Sequence, residues 1–153
     1  REWREALVPA LQLIEAAFRQ GAADRGILRL HGDCHVGNVL WTDAGPHFVD
    51  FDDSRMGPAI QDLWMLLGGD RHEMQAQLGA LLDGYETFRE FDRRELALIE
   101  PLRTLRIVQH SAWIARRWND PAFPAAFPWF NTQRYWQDRV LELRRPAREV
   151  VRG

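Results

Sequence analysis

Between two turns of apolar chain the sequence reads His31-Gly32-Asp33-Cys34-His35-Val36-Gly37-Asn38, and Asp50 follows twelve residues after Asn38. Two carboxylates and one carboxamide at this spacing suit phosphoryl transfer. That reaction needs a carboxylate to accept or orient the proton of an attacking hydroxyl. It also needs hard oxygen ligands that hold Mg2+ against nucleotide phosphates. An amide oxygen with a carboxylate supplies those ligands without an excess of negative charge that would repel phosphate. Asp33 fits the first task, and Asn38 and Asp50 fit the second.

The flanking residues form the frame for this set. Ile27-Leu28-Arg29-Leu30, Val39-Leu40-Trp41 and His47-Phe48-Val49 read as three short extended pieces. Thr42-Asp43-Ala44-Gly45-Pro46 between the last two is turn chemistry, which predicts a hairpin. The polar run 31–38 then leaves one strand and enters the hairpin, so that Asp33, Asn38 and Asp50 converge at its open end.

Helices surround this patch. Trp3, Leu7, Leu11, Ile14 and Phe18 recur at spacings of three and four, which predicts a helix over 3–20 with one apolar stripe and a stop at Gly21. After Pro58, helices are expected over 59–67, over 71–88, and from Asp92 as cap to about Trp118 with a kink or restart at Pro101. Pro121, Pro124 and Pro128 among Phe123, Phe127, Trp129 and Phe130 predict an aromatic loop without regular structure. A last helix is expected near 132–145, with a charged, frayed tail from Arg144. The seven Trp residues read as core or loop-pinning side chains.

The spacing of Asp33 and Asn38 is that of the protein-kinase catalytic loop, in which a second metal-binding Asp follows on the next hairpin. More specifically, His-Gly-Asp-x-His-x-x-Asn followed by Val49-Asp50-Phe51-Asp52-Asp53 resembles the aminoglycoside-phosphotransferase-like kinases. Leu30–Trp41, Phe48–Leu67, Ile99–Arg106 and Arg116–Trp129 are similar to the bacterial Ser/Thr protein kinases of that group. The likeness is weak over 1–26.

The resemblance implies an α+β, mostly helical fold, the C-terminal lobe of a protein-kinase-like enzyme that uses ATP and Mg2+. It implies Asp33 as catalytic base, Asn38 and Asp50 as metal and nucleotide-cofactor ligands, and Asp50 within the catalytic set. It implies Asp62 as a brace of the loop backbone and His31 as a residue packed beneath the site. His35 is expected to support the loop by hydrogen bonding. His31-Gly32-Asp33 departs from the protein-kinase His-Arg-Asp, which removes an arginine that could receive an activation-loop phosphate. Asp50-Phe51-Asp52 departs from Asp-Phe-Gly, which disfavours a flipping activation segment.

Other readings remain open. The catalytic loop does not separate a protein Ser/Thr kinase from a kinase of small alcohols such as an aminoglycoside, homoserine or a choline-like compound. The likeness over 99–129 favours the protein kinase. His31, Asp33 and His35 alternate as they would in a metal-binding strand of a hydrolase, although His47, His72 and His110 show no ligand spacing. Cys34 beside Asp33 and His35 could be an activated thiolate, but no nucleophile-elbow context surrounds it. Asp52 and Asp53 could add metal charge or cap the following turn. Arg103 and Arg106 could face an acidic or phosphorylated partner, or pair with Glu100, and Arg116 and Arg117 read as a solvated helix end.

Composition narrows the class further. The 153 residues carry a formal net charge of −2 and a pI near 6.2, which excludes the basic field of a general nucleic-acid binder. Cys34 is the only cysteine, so no internal disulfide forms and a reducing, cytoplasmic setting is expected. No apolar run approaches the ~18 residues of a membrane span. The length suits one domain, divided as leading helix 1–26, catalytic and metal loops 27–58, and helical subdomain 59–145. All 20 basic residues are Arg and none is Lys, and the chain begins at Arg1. A kinase needs a glycine-rich loop and a lysine on the phosphates. An absent N-terminal lobe is therefore the expected partner, with ATP, a hydroxyl-bearing substrate (a protein above all), no nucleic acid and no membrane, in a monomer. The 153 residues alone are expected to bind nucleotide poorly and to be inactive; a non-catalytic binding fragment is the different-class alternative beside the metal-dependent hydrolase.

Overall fold

Helix α1 (Glu2–Ala22) runs past Gly21, and its inward face combines most of the expected stripe with two alanines. Ala6, Ala10 and Ile14 are buried and Trp3, Leu7 and Phe18 half-buried, whereas Leu11 is 41% exposed. Residues three and four apart share one side of a helix, so the alanines fall between the large side chains on the same face. The computed structural model describes residues 2–22 and 26–144, which are mostly helical with two small antiparallel sheets. The expected frayed tail, from residue 145 on, lies outside the described residues. No helix among the described residues is long and apolar enough to cross a membrane.

Two compact units divide the described residues, one from 2–20 with 100–144 and the other from 21–22 with 26–99. In the second, β1 (Leu28–Leu30) pairs with β4 (Arg55–Gly57), and β2 (Val39–Thr42) pairs with β3 (Gly45–Phe48). The hairpin is as expected, but tighter: β2 extends to Thr42 and β3 begins at Gly45, so Pro46 lies inside a strand opposite Trp41. Proline is tolerated there because a two-stranded ribbon has open edges. Strand β4 has no alternating pattern, and only its pairing with β1 defines it.

Beyond β4, α2 (Ile60–Leu63) is a single turn that tightens into a 3-10 turn over Trp64–Leu66, shorter than the helix expected over 59–67. Helix α3 (Arg71–Glu86) starts at a capping box in which Asp70 accepts the Glu73 N–H and Glu73 accepts the Asp70 N–H. Asp92 caps a 3-10 segment, Arg93–Leu98, rather than an α-helix. Leu30, Cys34, Ile60, Leu78, Leu82, Phe91, Leu98 and Ile99 form the buried apolar set of this unit together with Ala59.

The other unit holds α4 (Ile99–Arg116) from Glu100 onward, α5 (Ala122–Ala126) and α6 (Gln133–Arg144). Pro101 falls in the first turn of α4, where a missing N–H costs nothing, so it marks a start and not a kink. The segment 119–130 is not wholly irregular: α5 forms with Pro124 in its first turn for the same reason. Rings link the unit: Trp3 meets Trp136 edge-on at 5.1 Å, and Phe130 meets Trp118, Tyr135 and Trp136 at 5.1–5.3 Å between centroids. Such pairs contribute about 0.5–1.5 kcal/mol each beyond burial. Buried Ser111 donates to the Ile107 carbonyl, so the Tyr135 hydroxyl 2.8 Å away is the donor to Ser111. Arg117 is not simply solvated, because its guanidinium lies 5.0 Å over the Trp113 ring. Arg103 pairs with Glu100 at 2.9 Å. Trp41 in the second unit departs from the expected pinning role at 76% exposure.

Candidate active site

Strand β1 ends at Leu30, and the next three residues turn out of the sheet as a loop braced from below. Asp62 accepts the His31 N–H at 2.7 Å on one carboxylate oxygen and the Gly32 N–H at 2.9 Å on the other. Hydrogen bonds to an ionised carboxylate are about twice as strong as neutral ones. The α2 turn that carries Asp62 has no local side-chain cap; instead buried Glu95, 35 residues on, accepts the Ile60 N–H at 2.9 Å. Gln61 adds a longer contact of 3.4 Å to the Gly32 carbonyl.

Gly32 is the residue on which this turn depends. Its φ is +89°, and a Cβ there would lie 2.1 Å from the Asp53 carbonyl oxygen. The His-Gly-Asp sequence is thus a steric requirement of this loop: an arginine in the middle position would collide with the segment after Asp50. Arg55, at the start of β4, holds that segment by donating to the Asp53 carbonyl at 3.0 Å and pairing with its carboxylate at 3.2 Å. Asp53 is therefore engaged in a local ion pair.

His31 is buried and both its ring nitrogens serve backbone groups. Its Nε2–H donates to the Val49 carbonyl at 2.7 Å, which leaves Nδ1 to accept the Asp33 N–H at 3.4 Å. Its ring lies 4.6 Å from that of Phe51. The same bonds disfavour a metal-binding strand of His31, Asp33 and His35, since neither His31 nitrogen is open. No three His, Cys, Asp or Glu side chains gather as a metal set among the described residues.

Asn38 ends the loop in a short 3-10 turn, Val36–Asn38, immediately before β2. Its side-chain N–H2 donates to the Asp33 carbonyl at 3.0 Å. A carbonyl only accepts, so the amide orientation is fixed, with its nitrogen on Asp33 and its oxygen left as the acceptor end. The Val49 N–H donates to the Asn38 carbonyl at 3.1 Å, while the Val49 carbonyl takes the His31 proton. One residue before Asp50 is thereby tied to both ends of the loop. Asp50 itself is exposed, with φ 63° and ψ 66°, the only non-glycine residue with positive φ among those described. Its carboxylate does not cap the following 3-10 turn, Phe51–Asp53. A left-handed non-glycine residue held by its neighbours is a feature that clusters at functional sites.

Asp33 and His35 stand at the mouth of the loop. The Asp33 side chain is 23% exposed, and His35 Nε2 lies 3.5 Å from its Oδ2. Cys34 between them turns inward and is 5% exposed. Burial, with the negative fields of Asp62 and Asp33, pushes its thiol up to about 11, so it is not a thiolate nucleophile. Glu95, the Val49 carbonyl and the steric role of Gly32 were not legible from spacing. They act across 18 to 35 residues, and only the Gly32 departure from the kinase pattern gave any signal.

Residues 1–99 match the phosphotransferase enzyme family. The chain is 57% identical over 125 residues to stress response kinase A of Escherichia coli O157:H7 and 56% identical to that of Escherichia coli strain K12. It is also 56% identical over 125 residues to the serine/threonine protein kinase RdoA of Salmonella typhimurium strain LT2. In each case the match covers 82% of this chain and 38% of the relative, so the chain spans well under half the length of these curated relatives.

Proposed function

The chain belongs to the phosphotransferase enzyme family, and we propose that the protein transfers the γ-phosphate of ATP to a hydroxyl group, that of a serine or threonine in a protein substrate. The names of its relatives support this acceptor class, as does identity near 56% over most of the chain. The 153 residues then act as the C-terminal lobe of a kinase-like fold.

One contact carries the reading: the Asn38 amide gives its protons to the Asp33 backbone carbonyl. A single side chain thereby fixes the loop bearing the proposed base and settles which end of its amide is the neutral oxygen. That oxygen and the carboxylate of Asp50, an exposed residue with positive φ, would form a hard donor set of the kind Mg2+ takes. Asn38 and Asp50 would hold the ion, which when bound supplies positive charge beside the nucleotide phosphates. Asp33 would orient the acceptor hydroxyl and take its proton. His31 and Asp62 keep the loop backbone from moving while this happens. Rigid placement matters because little covalent chemistry falls to the protein in phosphoryl transfer. The 153 residues contain no Lys, so the phosphate-contacting lysine of such kinases would come from outside them.

The test is ATP turnover by the full-length protein with casein beside a panel of aminoglycosides, homoserine and choline. Phosphoserine or phosphothreonine on casein, lost by at least ~100-fold in Asp33→Asn, is the expected result. Turnover with a small alcohol alone would move the substrate to that class. Near-normal turnover by Asp33→Asn would remove Asp33 from its role. The isolated 153 residues are expected to give negligible turnover in the same assay.

A further inference from the structure

His35 and Gly37 form a small device around the proposed base. The Gly37 N–H donates to His35 Nδ1 at 3.0 Å. A nitrogen that accepts carries no proton, so the ring proton sits on Nε2. That Nε2 is the atom 3.5 Å from Asp33 Oδ2. The ring is also fitted sterically: a Cβ on Gly37 would lie 2.8 Å from His35 Cε1 and 3.0 Å from Nδ1. Only a residue without a side chain lets the ring lie flat against this turn. The backbone reinforces the arrangement, because the His35 N–H donates to the Asp33 carbonyl at 2.9 Å, and the His35 carbonyl accepts the Asn38 N–H at 2.9 Å.

We infer that His35 is a positioning residue for Asp33, with the Gly37 N–H selecting the tautomer whose Nε2–H faces the Asp33 carboxylate. The inference rests on the kinase reading for its consequence in turnover and on the loop geometry alone for the contact. Asp33 would then be held from two sides, its N–H by His31 and its carboxylate by His35. At 3.5 Å the two atoms are close but not hydrogen-bonded in this structure, and under this inference the contact tightens when substrate binds, as catalytic contacts in ligand-free enzymes often do. His35 then holds the carboxylate's rotamer through its Nε2–H.

Two conservative variants separate this role from simple loop support. The Asn amide overlaps the Nδ1 position, so His35→Asn keeps an acceptor for Gly37 but cannot reach Asp33. The Gln amide reaches the Nε2 position, so His35→Gln can donate to Asp33. In the full-length protein, His35→Asn should lower kcat about tenfold, the lower end for a hydrogen bond to a charged group, with KM for ATP changed less than about twofold. His35→Gln should recover kcat to within about threefold of the parent. An unimpaired His35→Asn, or a His35→Gln no better than His35→Asn, would overturn the inference.

Imidazole nitrogen NMR of the same protein decides the contact independently of turnover. The expected spectrum has His35 protonated at Nε2, with that resonance moving in Asp33→Asn. A proton on Nδ1, or indifference to Asp33→Asn, overturns the inference even if the enzyme is fully active. If the parent transfers no phosphate at all, the kinase reading fails while the spectrum still decides the His35 contact.

Discussion

Asp62 accepts the backbone N–H of His31 at 2.7 Å, across 31 residues of sequence, and so ties the one-turn helix α2 to the start of the loop 31–38. Its second oxygen holds Gly32. The site is therefore built as much from the α2 turn as from the loop that carries its chemistry.

Removing that brace should cost stability and geometry together. Asp62→Ala leaves two part-buried N–H groups without their charged acceptor and should destabilise the protein by about 2–4 kcal/mol. Asp62→Asn can accept on only one atom and should lose roughly half as much. Urea unfolding monitored by tryptophan fluorescence measures both. Equal stability of Asp62→Ala and the parent would show that the brace is energetically idle.

Gly32→Ala should be worse than its size suggests. The added Cβ meets the Asp53 carbonyl oxygen at 2.1 Å, and φ is +89°, so the loop after Asp50 must move. A loss of about 2–4 kcal/mol is expected, in the range of backbone strain combined with overpacking. Gly79→Ala is the internal control, because no atom lies within 4 Å of its added Cβ and its helix favours alanine.

Cys34 gives a pH-dependent signal. Its folded thiol is raised to about 11 from a reference of 9.0. A raised pKa means that folding favours the protonated form. The contribution is fully present below pH ~9 and is lost as pH rises through ~11. Stability should therefore fall over that window, and the fall should be shallower in Cys34→Ala. At pH 8 iodoacetamide should label Cys34 only after unfolding. Rapid labelling of the folded protein would contradict both its burial and its raised pKa.

Asp50→Ala should separate metal-nucleotide binding from proton handling. Loss of one of two proposed ligands should weaken Mg-ATP binding by the full-length protein at least ~10-fold, as read by calorimetry. Asp33→Asn should leave that affinity within about threefold. If Asp50→Ala binds Mg-ATP normally, the donor set must be assigned elsewhere.

Much of this was legible in the sequence, for a physical reason. The loop 31–38 and the β2–β3 hairpin are local, and residues close in the chain reveal themselves through type and spacing. Asp33, Asn38 and Asp50 could thus be picked out by residue type, and the hairpin turn by its Asp43-Ala44-Gly45 chemistry. The start of α3 at Arg71 was legible in the sequence, where the local Asp70–Glu73 capping box fixes it. What tertiary structure alone decided lies in contacts without a sequence period. The pairing of β4 with β1 made a strand of Arg55–Gly57. Ala6 and Ala10 joined the inward face of α1 while Leu11 stayed exposed, because fit, not hydrophobicity alone, chooses the buried side. Glu95 became the cap of α2 from 35 residues away. Gly32 had to be glycine because a distant carbonyl occupies the space of its side chain. The chain's own order determined which groups could do chemistry. The fold decided which atoms of those groups are left free to do it, since each backbone bond that fixes an imidazole or an amide also settles which of its faces remains open.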